Sequence, residues 1–198
     1  MTMLADRLRA ALAASEGKPF DEVVDERIID LDPDDFAPAA VLVPVIDAAE
    51  PRVLLTVRHA GLRKHAGQIA FPGGRIDPED DGPIDAALRE ATEEIGLPRD
   101  CVDVIGMTAS YRTATGYLIT PVLAVVPEGI SLAPHEAEVS DIFEVPLAHL
   151  MAPANHRTSS VFWEGAQRQF YEITWDDYRI WGVTAGMIVN LSRRLATA

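Results

Sequence analysis

Residues 73–97, GGRIDPEDDGPIDAALREATEEIGL, decide how the rest of the chain is read. Ile84, Ala87, Leu88, Ala91 and Ile95 recur at i, i+3, i+4, i+7 and i+11, the spacing of one apolar face on an α-helix. Pro83 suits the first helical position, where its missing N–H removes no hydrogen bond. Gly96 and Pro98 suit the end. An amphipathic helix over residues 84–95 follows.

The same helix carries Glu90, Glu93 and Glu94, which fall within an arc of roughly 100° beside the apolar face. Like charges at i and i+4 destabilise a helix by about 0.2–0.5 kcal/mol per pair. Arg89 can reach Glu93 one turn on and offset part of that. Two readings stay open on these residues alone. One is a solvated acidic face. The other is a site for a divalent cation, since Mg²⁺ and Mn²⁺ take carboxylate oxygens.

The flanking spacing resembles the Nudix box of the Nudix pyrophosphohydrolases. Arg89-Glu90-Ala91-Thr92-Glu93-Glu94-Ile95-Gly96-Leu97 fills the second half of that pattern, with Ala91 smaller than the usual aliphatic. The first half departs: an Asp, Asp80, follows Gly74 after five residues where the family has Glu, and eight residues rather than seven then lead to Arg89. The resemblance implies a Nudix-type α/β/α sandwich with a mixed β-sheet, the box forming a loop–helix–loop. It also implies hydrolysis of a phosphoanhydride with Mg²⁺ or Mn²⁺. Glu90 and Glu94 are the ligands it implies first, Glu93 a further ligand or a sharer of the site, and the Gly74 carbonyl a completing one. Arg89 would orient the glutamates. The general base is left open between Glu90 and a carboxylate on a distant loop, where Glu138 and Glu136 stand before a strand.

Upstream, Leu54-Leu55-Thr56-Val57-Arg58 leads through Leu62-Arg63-Lys64-His65-Ala66-Gly67-Gln68 to Phe71-Pro72-Gly73-Gly74. This is similar to the extra motif of the coenzyme A pyrophosphatase branch, with His59 in place of a Ser. Weaker similarity continues through residues 115–121 and 180–185. The implied reaction splits coenzyme A or its thioesters into 4′-phosphopantetheine, or its acyl form, and adenosine 3′,5′-bisphosphate. Rival readings are another nucleotide substrate (ADP-ribose, a dinucleotide, a nucleoside triphosphate) and a Nudix-fold binding module without catalysis. Arg52, Arg58, Arg63 and Lys64 place four basic residues in 13 positions. They suit either a phosphate-binding patch or salt bridges to the Asp-rich segments. Gly73 and Gly74 would let the backbone come close to the substrate. His65 is either a hydrogen-bonded loop residue or a substrate contact, and Trp163, Tyr171, Trp175 and Trp181 are expected in the core rather than as platforms on which a base stacks.

A chain of 198 residues suits one domain. Its net charge of −14 argues against non-specific nucleic-acid binding, which needs a basic surface to displace counterions. A single cysteine, Cys101, allows no internal disulfide and reads as a structural thiol in a reducing compartment. With no signal-like start and no apolar run of about 18 residues, the expected location is the cytoplasm, away from membranes.

In chain order, residues 3–14 read as a helix with Leu4, Leu8, Ala11 and Leu12 on one side. It would pack on the domain or on a second subunit, so a homodimer is open to it. Residues 18–36 read as an acidic connector, giving an accessory segment 1–36 and a Nudix domain 37–198. Strands are expected at 39–46, 52–58, 68–71, 102–109, 118–126 and 142–145, with a glycine turn at Gly73-Gly74. Pro121 points to an irregular or edge strand. A helical turn at 146–151, a hairpin pairing 161–163 with 169–173, and a helix at 184–195 with Val183, Met187, Leu191 and Leu195 on one face complete the chain.

Overall fold

The computed structural model describes residues 2–15, 35–62, 65–163 and 166–196. Most of the expected acidic connector therefore lies outside the described residues, as do Arg63, Lys64 and the hairpin tip at 164–165. The strands β1 (Ala37–Asp47), β2 (Arg52–Arg58), β3 (Ile69–Ala70), β4 (Gly73–Arg75), β5 (Asp103–Met107), β6 (Tyr111–Arg112), β7 (Tyr117–Pro127) and β8 (Val139–Pro146) form one mixed sheet. β1 lies at its centre and runs parallel to β7 from Ala37–Tyr117 to Asp47–Pro127. Its other side pairs antiparallel with β4 near the start and with β2 near the end. A second sheet joins β9 (Arg157–Trp163), β10 (Ala166–Trp175) and β11 (Tyr178–Trp181). The helices are α1 (Met3–Ala14), α2 (Pro83–Ile95), α3 (Leu147–Met151) and α4 (Gly182–Leu195).

All positions from Ala39 to Ile46 in β1 are buried, as expected of a strand covered on both faces. The two-residue period divides them. Ala40, Leu42 and Ile46 join Leu54 against Ala86, Ala87, Ala91 and Ile95 of α2. Val41, Val43 and Val45 join Val53 and Leu55 in the opposite core, with Ile188 and Leu191 of α4 and Leu4 and Leu8 of α1. The result is an α/β/α sandwich. Each CH₂ moved from water into such a core contributes about 0.8 kcal/mol. Among the described residues, no helix is long and apolar enough to cross a membrane.

Helix α2 begins at Pro83 and ends at Gly96, whose φ of 66° is the left-handed conformation that glycine adopts without strain. The Gly96 N–H donates to the Thr92 carbonyl at 3.0 Å and the Leu97 N–H to that of Ala91 at 3.3 Å.

Four expectations are corrected. Gly73-Gly74 is not a turn: both residues lie in β4, paired with Val41 and Ala40. A Cβ on Gly73 would stand 2.4 Å from the Ala40 carbonyl oxygen, so glycine is needed for the close pairing. Pro121 is not on an edge strand but inside the sheet, opposite Val41, at an irregular position, which is the other expectation. Its carbonyl accepts the Thr108 N–H at 2.9 Å. Its ring nitrogen therefore faces the break between β5 and β6, where no ladder bond is lost. The hairpin extends further than expected, and β11 adds a third strand to it. Helix α4 is buried continuously from Thr184 to Ser192, because it packs on the small sheet, α1 and α3 and shares one core with residues of the main sheet.

Candidate active site

Helix α2 turns Glu90 and Glu94, one turn apart, toward β4. Glu94 is 4% exposed. Its Oε2 accepts the Gly73 N–H at 3.1 Å, and its Oε1 is 3.7 Å from Arg58 Nη1. Glu90 lies against Gly74, where a Cβ would sit 2.4 Å from Glu90 Oε1. Gly74 thus leaves the space that this carboxylate fills.

Burial pushes the Glu94 carboxyl up to about 7; the Gly73 N–H and Arg58 oppose the shift, and the Glu90 and Glu138 charges add to it. Burial also raises Glu90, opposed by Arg89. Two carboxylates one helical turn apart are thus both desolvated, with incomplete compensation. Arg58 Nε is itself buried without a hydrogen-bond partner among the described residues.

Arg89 ties the helix to the loop before it. Its Nε and Nη2 each lie 2.9 Å from one oxygen of Asp80, and Nη2 also donates to the Arg75 carbonyl at 3.1 Å. Its Nη1 lies 3.0 Å from Glu90 Oε1 and 3.1 Å from Glu93 Oε2. Asp80 is held at about 2, chiefly by the Arg89 hydrogen bonds and also by the Asp77 N–H. The altered spacing of the box therefore ends in a two-pronged clamp on Arg89. Glu93 is exposed and faces Arg89.

Glu138 sits on a loop fastened to the end of α2. The Ala133 N–H donates to the Ile95 carbonyl at 3.0 Å and the His135 N–H to that of Glu94 at 2.8 Å, satisfying carbonyls that a helix terminus leaves free. The His59 N–H holds the Glu138 carbonyl at 2.7 Å. Glu138 shares a cleft of about 520 Å³ with Arg58, Gly73, Gly74, Glu90 and Glu94, whereas Glu136 does not line it. The opposite wall comprises Tyr117, Ile119, Trp181, Val183 and Met187. His65 Nδ1 and Gln68 Oε1 lie 2.8 Å apart, and both residues line the cleft.

Of the four basic residues, Arg52 takes no part in a phosphate-binding patch at the cleft. Arg52 is bound to Glu144 at 2.5 Å and Glu128 at 2.9 Å, away from the cleft. Of the four residues Arg58 lines it, while Arg63 and Lys64 lie outside the described residues. Trp181, expected in the core, is 38% exposed and lines the cleft. No periodicity marked it, because its strand is four residues long. Cys101 is part-exposed; burial and Asp100 push its thiol up, which suits a structural thiol.

Among the described residues, no three Asp, Glu, His or Cys side chains close around a single point. The donor chemistry of Glu90 and Glu94 nevertheless fits a hard cation; the Gly74 carbonyl expected beside them faces Ala40 of β1 instead, because Ala40–Gly74 lies between the hydrogen-bonded pairs Leu42–Pro72 and Pro38–Ile76. Mg²⁺ commonly takes one or two carboxylates and fills its remaining positions with water and substrate phosphate.

A NUDIX domain model matches residues 36–172. Over 157 residues the chain is 43% identical to the "Uncharacterized Nudix hydrolase NudL" of Photorhabdus laumondii, covering 79% of this chain and 84% of that one. It is 40% identical, again over 157 residues, to the protein of the same description from Escherichia coli O7:K1, covering 79% and 82%. A MutT/nudix family protein from Enterococcus faecalis shares the fold, with a TM-score of 0.50 at 13% identity over 99% of this chain and 75% of its own. The chain belongs to the Nudix hydrolase family.

Proposed function

We propose that this Nudix hydrolase cleaves the diphosphate of coenzyme A or its thioesters, releasing adenosine 3′,5′-bisphosphate and 4′-phosphopantetheine or its acyl form. The observation that carries this reading is the sharing of one cleft. Arg58, His65, Gln68 and Phe71 of the upstream segment line the same cavity as Glu90 and Glu94 of the box. The family domain runs from about residue 37, with α1 as an accessory helix packed on it.

Glu90 and Glu94 would hold Mg²⁺ or Mn²⁺, with water and substrate phosphate in the remaining positions. Bound there, such an ion neutralises phosphate oxygens and makes a water more acidic. Arg58, which lines the cleft and whose Nε has no partner among the described residues, donates charge-assisted hydrogen bonds to a phosphate oxygen. Arg89 keeps Glu90 in place and, bound to four carboxylates, has no role in contacting substrate. Glu138 accepts the proton of the attacking water, and its anchored loop sets the distance over which it does so. Glu93 supports Arg89.

Incubation with coenzyme A and Mg²⁺ or Mn²⁺, followed by chromatography, tests the proposal. The expected products are the two phosphates named above. No turnover with either ion overturns the substrate assignment. A panel including ADP-ribose and a dinucleotide, ranked by kcat/KM, should place coenzyme A or a thioester first.

A further inference from the structure

We infer that Trp181 determines specificity: its indole receives the heterocyclic base at the nucleotide end of the substrate. This rests on the reading of the cleft as a nucleotide diphosphate site. Strand alternation and the pairing of Glu172 with Trp181 put Trp181, Arg179, Glu172 and Phe170 on one face of the small sheet. Ile173 and Ile180 point the other way, into the core, and are fully buried. The Phe170 ring meets the indole at 64° with centroids 5.6 Å apart. The Arg179 guanidinium lies 5.6 Å from the indole centroid and is held by Glu172 at 2.7 Å. A large ring is therefore fixed in place without being buried, at the edge of the cleft that holds Glu90 and Glu94.

The surroundings decide what such a ring receives. A flat heteroaromatic base stacks on an indole while its edges stay in water. An alkyl chain gains from enclosure, and this rim carries a guanidinium and a carboxylate. Arg179 also suits a phosphate on the adjoining ribose.

The test uses Trp181→Ala and Trp181→Phe in the full chain, with Phe162→Ala as control. Phe162 is 74% exposed on β9 and outside the cleft. Calorimetry with adenosine 3′,5′-bisphosphate should show affinity about tenfold weaker in Trp181→Ala, the order of a lost base stack, and largely restored in Trp181→Phe. The KM for coenzyme A should rise by a similar factor, with the loss falling on KM rather than kcat. If Trp181→Ala fails to fold, Trp181→Leu carries the same expectation. Unchanged affinity in a folded non-aromatic variant, or weakened binding of 4′-phosphopantetheine instead, overturns the inference. Coenzyme A turnover unaffected by the substitution sinks this subsite and leaves the hydrolase reading intact. Trp181-dependent binding of the bisphosphate without coenzyme A turnover does the reverse.

Discussion

The two walls of the cleft are built by different rules. On one, α2 and β4 bring Glu90, Glu94, Gly73 and Gly74 together from within 22 residues of sequence. On the other, Tyr117, Ile119, Trp181, Val183 and Met187 arrive from β7, β11 and α4, up to 70 residues apart. The first wall holds buried charge and needs exact glycines; the second is apolar and part-exposed. Charge buried at a fixed spacing tolerates little change, whereas an apolar wall can repack. Substitutions on the α2 side should therefore abolish the chemistry, and those on the α4 side should alter what is bound.

The largest effect is expected at Glu94. Glu94→Gln keeps the shape but loses the anionic oxygen, and kcat should fall more than about a hundredfold, beyond the 10–100-fold seen for groups one step removed from a metal. Activity within tenfold of wild type would erase the contrast between the walls. Next come the paired glycines. Gly74→Ala should displace Glu90 and reduce kcat by about 10–100-fold with the fold retained. Gly73→Ala instead meets the Ala40 backbone and should lower stability by about 1–3 kcal/mol or more in denaturant titrations.

Asp80→Asn should cost about tenfold in kcat by loosening Arg89 and, through it, Glu90. Because Asp80 is held near 2 against an ordinary value of 3.8, its stabilising effect is complete above about pH 4 and is lost as pH falls toward 2. Melting curves of wild type and Asp80→Asn should differ by a constant amount at neutral pH and converge in strong acid. A second pH effect concerns Glu94 without metal. Its carboxyl is raised from 4.5 to about 7, so its contribution to stability is greatest below about pH 4.5 and declines as pH rises through 7. The metal-free protein should melt earlier at pH 8 than at pH 5, and Glu94→Gln should flatten that slope.

The α2 wall was legible in the sequence because its logic is local. A 3.6-residue period located the helix, Pro83 and Gly96 bounded it, and the glutamate spacing named the carboxylates. The buried run of β1 likewise announced a strand covered on both faces. Partner choice is not local. Nothing near Gly73 says that β1 will pair with it, so a strand reads as a turn. Pro121 signalled a missing donor but not that a break in the neighbouring strands would absorb it. Arg52 and Arg58 are six positions apart, yet one binds Glu144 and Glu128 while the other reaches Glu94. Trp181 looks like core by composition, and its place beside the cleft follows only from how the small sheet docks.

The most direct test is an anomalous difference map from crystals soaked in Mn²⁺. One peak bound by the carboxylates of Glu90 and Glu94 is the expected result. Well-ordered glutamates with no ion between them, under conditions where the enzyme turns over, would contradict the account.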